Sequence, residues 1–496
     1  MPSKSPASSL NGPAAEVSTE QKDAERRFLR KLDIRLIPAV FIIYIMNYIN
    51  RVAITAARLK GLEHDLRLSD IQYNVVLSVL FVTLSLGQPP SNMLLNKIKR
   101  PSVYIGGCVV AWGLASALSG VTTNYGGILV CRFFTGLPEA AFYPGAMYLL
   151  SCWYSKKELA FRSAILFSGL DIANAFGALL AAAILSGMEG TLGIPSWRWL
   201  FIVEVDAPRL CGLIFSALSA TVTPLFHFQP RNTRWIDDKE RRLAQARLAE
   251  DAGEADQDTQ ADSQFHGFKL AIGDSLVWLF SLMLFSQHLG RSVGLFFPTV
   301  AKTLGFSTSI TLLLTAPPWI VAAIICVLNR TGERFFHISV WIWAMMVGFI
   351  ISLCTMSVGP RYFSLFLMAI GDAGCAMTLV WASNSIPRPP AKRAAAIGIV
   401  NGMGNLGTLA GSYVWKNKWG PQYRQSSVIS LVALAVSTAL ALVIRQLLVK
   451  MNRQLDSDAA AISSGTNEER VKKAAHLEGI TFHQALEKRR GFRYLF

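Results

Sequence analysis

The sequence predicts an all-α membrane protein with twelve transmembrane helices in two six-helix bundles, and three observations carry that prediction. Of the 496 residues, 52% are hydrophobic and only 16% charged, outside the usual range for soluble domains. The apolar residues gather into segments of about 20, the length that crosses a ~30 Å hydrocarbon core at 1.5 Å per residue, with the charges between them. Features also recur near an offset of 230 residues, the mark of a duplicated half.

The first six spans fall at Leu36 to Ala57, Ile71 to Leu94, Ser102 to Gly120, Gly126 to Trp153, Ala160 to Leu185 and Trp199 to Phe226. The second six fall at Leu270 to Val300, Thr311 to Leu328, Ile338 to Val358, Tyr362 to Ser383, Ala394 to Val414 and Ser427 to Val449. The chain then divides into a cytoplasmic tail (1–33), an N-terminal bundle (34–226), a cytoplasmic linker (227–269), a C-terminal bundle (270–449) and a second cytoplasmic tail (450–496). Met1 to Glu20, rich in Ser, Pro and Ala, lacks the apolar core of a cleavable signal peptide and reads as disordered. The linker holds a helix-like charged run from Ile236 to Leu248 and an acidic stretch from Glu250 to Asp262, and reads as a solvated connector.

Lysine and arginine collect in cytoplasmic loops, which orients the chain. Arg26, Arg27, Arg30, Lys31 and Arg35 precede the first span, Lys97, Lys99 and Arg100 follow the second, and Lys156, Lys157 and Arg162 follow the fourth. Arg388, Lys392 and Arg393 follow the tenth, so both termini are expected in the cytosol. Arg58, Lys60 and Arg67 in one outer loop and Lys416, Lys418 and Arg424 in another run against this bias. The net charge of +16 is scattered over loops and tails, which suits anionic lipid and argues against nucleic acid. The seven cysteines show no CxxC spacing and read as packing residues, with no metal or cofactor expected. The absence of GxxxxGK[ST] and HExxH counts against an ATP-driven pump or a zinc protease.

The repeat shows in four pairs. Pro89-Pro90 matches Pro317-Pro318, while Asn96 with Asn329, Glu139 with Asp372 and Gly169 with Gly402 are each 233 residues apart. Gly and Ala runs at Gly177 to Ala183 and Gly402 to Gly411 permit close helix contact.

An ionisable side chain inside a span is costly unless it meets a partner or a water-filled cavity, which singles out Arg51, Arg132, Glu139, Asp171, His288, Arg291 and Asp372. Arg132 and Glu139, seven residues apart, point from one face of the fourth helix, about 10 Å apart along it. Arg51 and Arg132 lie at similar depth, about 9 Å from the outer ends of their spans. Their guanidiniums are expected to converge on one organic anion, since the planar fork binds a carboxylate through two hydrogen bonds. Glu139, and with it Asp171 and Asp372, are candidates for proton coupling, because burial and a nearby arginine pull a carboxyl group's proton affinity in opposite directions. A purely structural pairing of these groups is the competing reading. His288 and Arg291, one turn apart, fit either a substrate contact or a packing pair. Tyr44, Tyr48, Asn50, Asn401 and Asn405 can bond a polar substrate or a neighbouring helix.

At these residues the sequence resembles the anion:cation symporter family of the major facilitator superfamily, and particularly its fungal allantoate-permease-like branch. The resemblance is carried by Gly61-Leu62-Glu63-His64-Asp65-Leu66, Gln72-Tyr73-Asn74, Pro90-Ser91-Asn92 before Leu94-Leu95, and Arg132-Phe133-Phe134 with Gly136, Glu139-Ala140 and Pro144-Gly145. Trp197-Arg198-Trp199, Ala316-Pro317-Pro318, Gly404-Asn405-Leu406-Gly407 and Phe492-Arg493-Tyr494 extend it nearly end to end. It implies the major facilitator fold and proton-coupled uptake of a small organic anion, a carboxylate or vitamin-like molecule, by a monomer in a fungal plasma membrane. It also implies substrate-binding roles for Arg51 and Arg132 and a coupling role for Glu139. Members usually carry aspartate before the first-helix arginine, where this chain has Asn50. An exporter of a secondary metabolite and a non-transporting nutrient sensor stay open as alternatives, while no nucleophile, base and orienter pattern suggests an enzyme.

Overall fold

The computed structural model describes residues 13–95, 98, 101–151, 153–154, 156–203, 237, 239–243, 264–328, 334–386 and 390–463. Most of the sixth span, most of the linker, the tail beyond 463 and the Asn96 and Asn329 pair lie outside the described residues.

The N-terminal half runs α1 (Pro13–Arg58), a short α2 (Leu62–Asp65), α3 (Asp70–Leu95), α4 (Pro101–Ser119), α5 (Tyr125–Glu139), α6 (Phe142–Ser151) and α7 (Lys156–Gly187). Residues 196–203 then open the sixth span as helix. The second half runs α8 (Gln264–Ile272), α9 (Ser275–Gly290), a 3₁₀ stretch Arg291–Phe296, α10 (Phe297–Lys302), α11 (Thr308–Leu328), α12 (Arg334–Cys354), α13 (Val358–Ile370), α14 (Asp372–Ser385), α15 (Pro390–Gly411) and α16 (Arg424–Ser463). Among the described residues, 7 helices are long and apolar enough to cross a membrane, or 8 if the pair bent by 68° after Ile272 is one span.

Backbone groups have no water to bond in hydrocarbon, so the described parts of the spans are helical over most of their predicted lengths, with a few interruptions. Three interruptions depart from the expected spans. The fourth span divides at Ala140 and Ala141 into α5 and α6, just past Pro138, whose missing N–H and ring weaken the helix there. The tenth is interrupted for one residue, Gly371, between α13 and α14, but keeps helical backbone there (φ −57°, ψ −22°) and runs as one span from Val358 to Ser385. The seventh, expected from Leu270, begins its long apolar run only at Ser275, because Gly273 breaks the chain and the Asp274 carboxylate caps α9 by accepting from the Leu276 N–H at 2.8 Å.

Residues 13–20, expected to be disordered, are instead helical and continuous with the first span. Phe28, Leu32 and Leu36 recur every four residues and are buried, so the extension presents one apolar stripe to Trp153 and Tyr154. Asp33 fastens this stripe, accepting from the Tyr154 hydroxyl at 2.8 Å and from Arg162 Nε and Nη2 at 2.7 and 2.8 Å. Burial, then the charge of Asp33, raises the proton affinity of the Tyr154 phenol and keeps it a donor.

Within the halves, α1 packs on α7, α3 and α4 on α5, and α9 on α15 and α16. The halves meet along two helix pairs, α7 with α11 and α3 with α15. Between the halves lies a space lined from α1, α3, α7, α9, α11 and α15, with Glu139 of α5 and Cys375 and Leu379 of α14 on part of its wall.

Candidate functional site

Two chambers occupy that space. The first has about 840 Å³ of empty space including its mouth, and its wall includes Thr55, Phe81, Asn174, Phe297, Trp319 and Thr408. The second, about 590 Å³ on the same measure, is bordered by Tyr44, Gln88, Glu139, Phe142, Tyr143 and Asn401. Tyr48, Arg51, His288, Arg291 and Asn405 line both, so this ring of residues is the partition between them.

Arg51 comes from α1 and donates from Nε to Glu139 Oε1 at 2.7 Å, with Nη2 on the same oxygen. Its guanidinium lies 4.4 Å from the Tyr48 ring centroid. Glu139 is the last residue of α5, and the backbone stays helical just after it, at Ala140 (φ −57°, ψ −26°). In the other half Arg291 Nη2 donates to Asp372 Oδ2 at 2.8 Å, and Asp372 is the first residue of α14, next to Gly371. The arginine side chains are 16% and 17% exposed and their carboxylates 3% each; Glu139 borders the second chamber beside Arg51, while Asp372 lines neither chamber and stands behind Arg291.

The structure therefore brings together Tyr48, Arg51, Glu139, His288, Arg291, Asp372 and Asn405. His288 Nδ1 lies 3.3 Å from the Thr408 hydroxyl, and the Asn401 and Asn405 amides both donate to Gln88 Oε1, at 2.9 and 3.2 Å.

Arg132 is placed differently from the expectation. It is buried but lines neither chamber, and its Nη1 donates to Asn50 Oδ1 at 3.3 Å. Its guanidinium lies 5.8 Å from the ring centroid of Phe201, on the sixth span. Arg51 thus shares the chamber walls with Arg291 and not with Arg132, which meets Asn50, about 100° around α1 from Arg51. Asp171, fully buried on α7, also stands behind the chamber wall, with neither oxygen hydrogen-bonded, and feels the charges of Asp372 and Arg291.

Gln88 was not singled out in the sequence; an amide amid apolar residues beside Pro89-Pro90 is the signal that could have found it. Among the described residues no group of three or more His, Cys, Asp or Glu side chains is placed to hold a metal ion.

The profile of the Major Facilitator Superfamily matches residues 40–412. Over 420 residues the chain is 31% identical to the MFS-type transporter cnsO of Penicillium expansum, across 81% of this chain and 79% of that one. It is 27% identical over 396 residues to an Agrobacterium vitis protein named "Putative tartrate transporter", across 78% and 84%. A bacterial homologue of the human lysosomal transporter Spinster, in an inward-facing and unoccupied crystal structure, superposes with a TM-score of 0.60 over 84% of this chain and 97% of that one. At 18% identity that likeness concerns the fold alone.

Proposed function

Because the chain belongs to the major facilitator superfamily and is a membrane transporter of that type, we propose that it is an anion:cation symporter that takes up a small organic anion with protons by alternating access. The observation that carries this reading is the Arg51–Glu139 pair at the partition between the two chambers. A buried guanidinium needs a negative partner, and Glu139 supplies it while no substrate is bound. A proton on Glu139 cancels that partner and leaves Arg51 to take a carboxylate from the chamber in a two-bonded grip. Loss of the proton on the other side returns Glu139 to Arg51 and drives the anion off. Substrate and proton thus enter and leave together, and the chamber that happens to be open decides where.

The tartrate named for the Agrobacterium vitis relative is a carboxylate, in keeping with this reading. So is the placement of Asn50: its side chain is turned to Arg132 and away from the chambers, so the missing aspartate takes no carboxyl group from their walls. We place the protein in a fungal plasma membrane with both termini in the cytosol, in line with the loop charges.

Uptake of labelled carboxylates into cells producing the chain tests the proposal. Accumulation should collapse with an uncoupler, and Glu139→Gln should keep substrate exchange while losing proton-driven accumulation. Accumulation that survives the uncoupler would sink proton coupling, and net efflux would reverse the proposed direction.

A further inference from the structure

The duplicated halves place equivalent chemistry on opposite walls of one space. Tyr48 and Arg51 on the first span correspond to His288 and Arg291 on the seventh, each pair a ring followed three residues later by a guanidinium, and both at an offset of 240 residues. All four side chains line both chambers. Each arginine is paired with a carboxylate of its own half, Arg51 with Glu139 at the end of α5 and Arg291 with Asp372 at the start of α14. The two clusters are close enough to act on one another: the charge of Arg51 reaches His288, and Arg291 interacts with Tyr48.

One anionic group can satisfy only one of two such sites. Binding a monoanion at Arg51 would leave the Arg291–Asp372 pair untouched and give no reason for its edge to face the same chambers. We propose that the transported molecule is a dianion, with one carboxylate-type group taken by Arg51 and the second by Arg291. This rests on the anion-uptake reading above and narrows it. Each substrate carboxylate replaces a carboxylate of the protein, so protons on Glu139 and on Asp372 accompany the dianion, and no net charge crosses the membrane.

The test uses the full chain in proteoliposomes with an imposed pH gradient. Competitors are aliphatic dicarboxylates of graded length, each matched with its own monoamide, which keeps the shape and removes one charge. At the length that spans the two arginines, the dicarboxylate should compete at least about tenfold better than its monoamide, the least that losing one charge-assisted grip predicts. Uptake should also be unaffected by a membrane potential. The double variant Arg291→Gln/Asp372→Asn removes the second site as a pair and should bring the ratio near one. Should that variant not fold, the wild-type ratio decides alone. Monoamides that match or exceed their dicarboxylates at every length overturn the two-site inference and leave carboxylate uptake standing. If neither series is moved, uptake of carboxylates falls and the inference with it.

Discussion

Asn50 and Arg51 are neighbours in sequence with opposite assignments in space: one side chain receives Arg132 and the other faces the chambers. Replacing Asn50 by Asp gives Arg132 a charged acceptor without adding a carboxyl group to either chamber. Uptake measured against pH should therefore follow the wild-type profile, and a displaced profile would mean that this position does take part in coupling. The Arg51–Glu139 pair makes the opposite prediction. Arg51→Ala leaves a buried carboxylate without its cation, which costs about 3–5 kcal/mol. The double variant Arg51→Gln/Glu139→Gln removes both charges and should recover most of that loss in a thermal unfolding scan, although neither protein should accumulate substrate. If the double variant is no more stable than the single one, the pairing is not what holds these helices together.

Helix packing sets how much of this could be read in advance. A Cβ at Gly407 would sit inside the Phe285 carbonyl oxygen, so α15 approaches α9 more closely than any larger residue allows. Gly407→Ala should cost about 1–3 kcal/mol through overpacking. Gly107→Ala on α4, which would meet nothing within 4 Å, should be neutral, and equal melting temperatures for the two would refute the assignment. The lengths of the spans were legible because the bilayer imposes them: Ser102 to Gly120 was expected where α4 covers Pro101–Ser119. The interruptions at Ala140 and Gly371 were not, since hydropathy continues across an interruption that has apolar residues on both sides. The buried stripe Phe28, Leu32 and Leu36 was written in the sequence but lay among charges that masked it. Candidate site residues were legible for an energetic reason, the cost of charge in hydrocarbon. Their partners were not, because which face of α1 meets which end of α5 is decided by packing between helices far apart in the chain.

The two halves are tied together by weak polar bonds along α3 and α15. Gln88 accepts from Asn401 and Asn405, and the Ser85 hydroxyl donates to the Gly402 carbonyl at 3.0 Å. Nearer the end of α1, Ser78 and the Tyr413 hydroxyl are 3.0 Å apart, and Asp70 Oδ1 accepts from Asn417 Nδ2 at 2.8 Å while also pairing with Arg58. Each such bond contributes about 0.5–1.5 kcal/mol net, so a few of them hold a closed contact without locking it. That magnitude suits a transporter, whose two access states must lie within a few kcal/mol of one another. Removing the two ties at the Asp70 end with Tyr413→Phe and Asn417→Ala should withdraw about 1–3 kcal/mol from closure there and favour opening by roughly 5- to 150-fold. Thr55, on the wall of the first chamber, reports on that end. In a chain freed of its native cysteines, Thr55→Cys should react at least about fivefold faster with a thiol reagent applied from that side once the two ties are gone. An unchanged rate would mean that apolar packing between the halves, and not these hydrogen bonds, keeps that end shut.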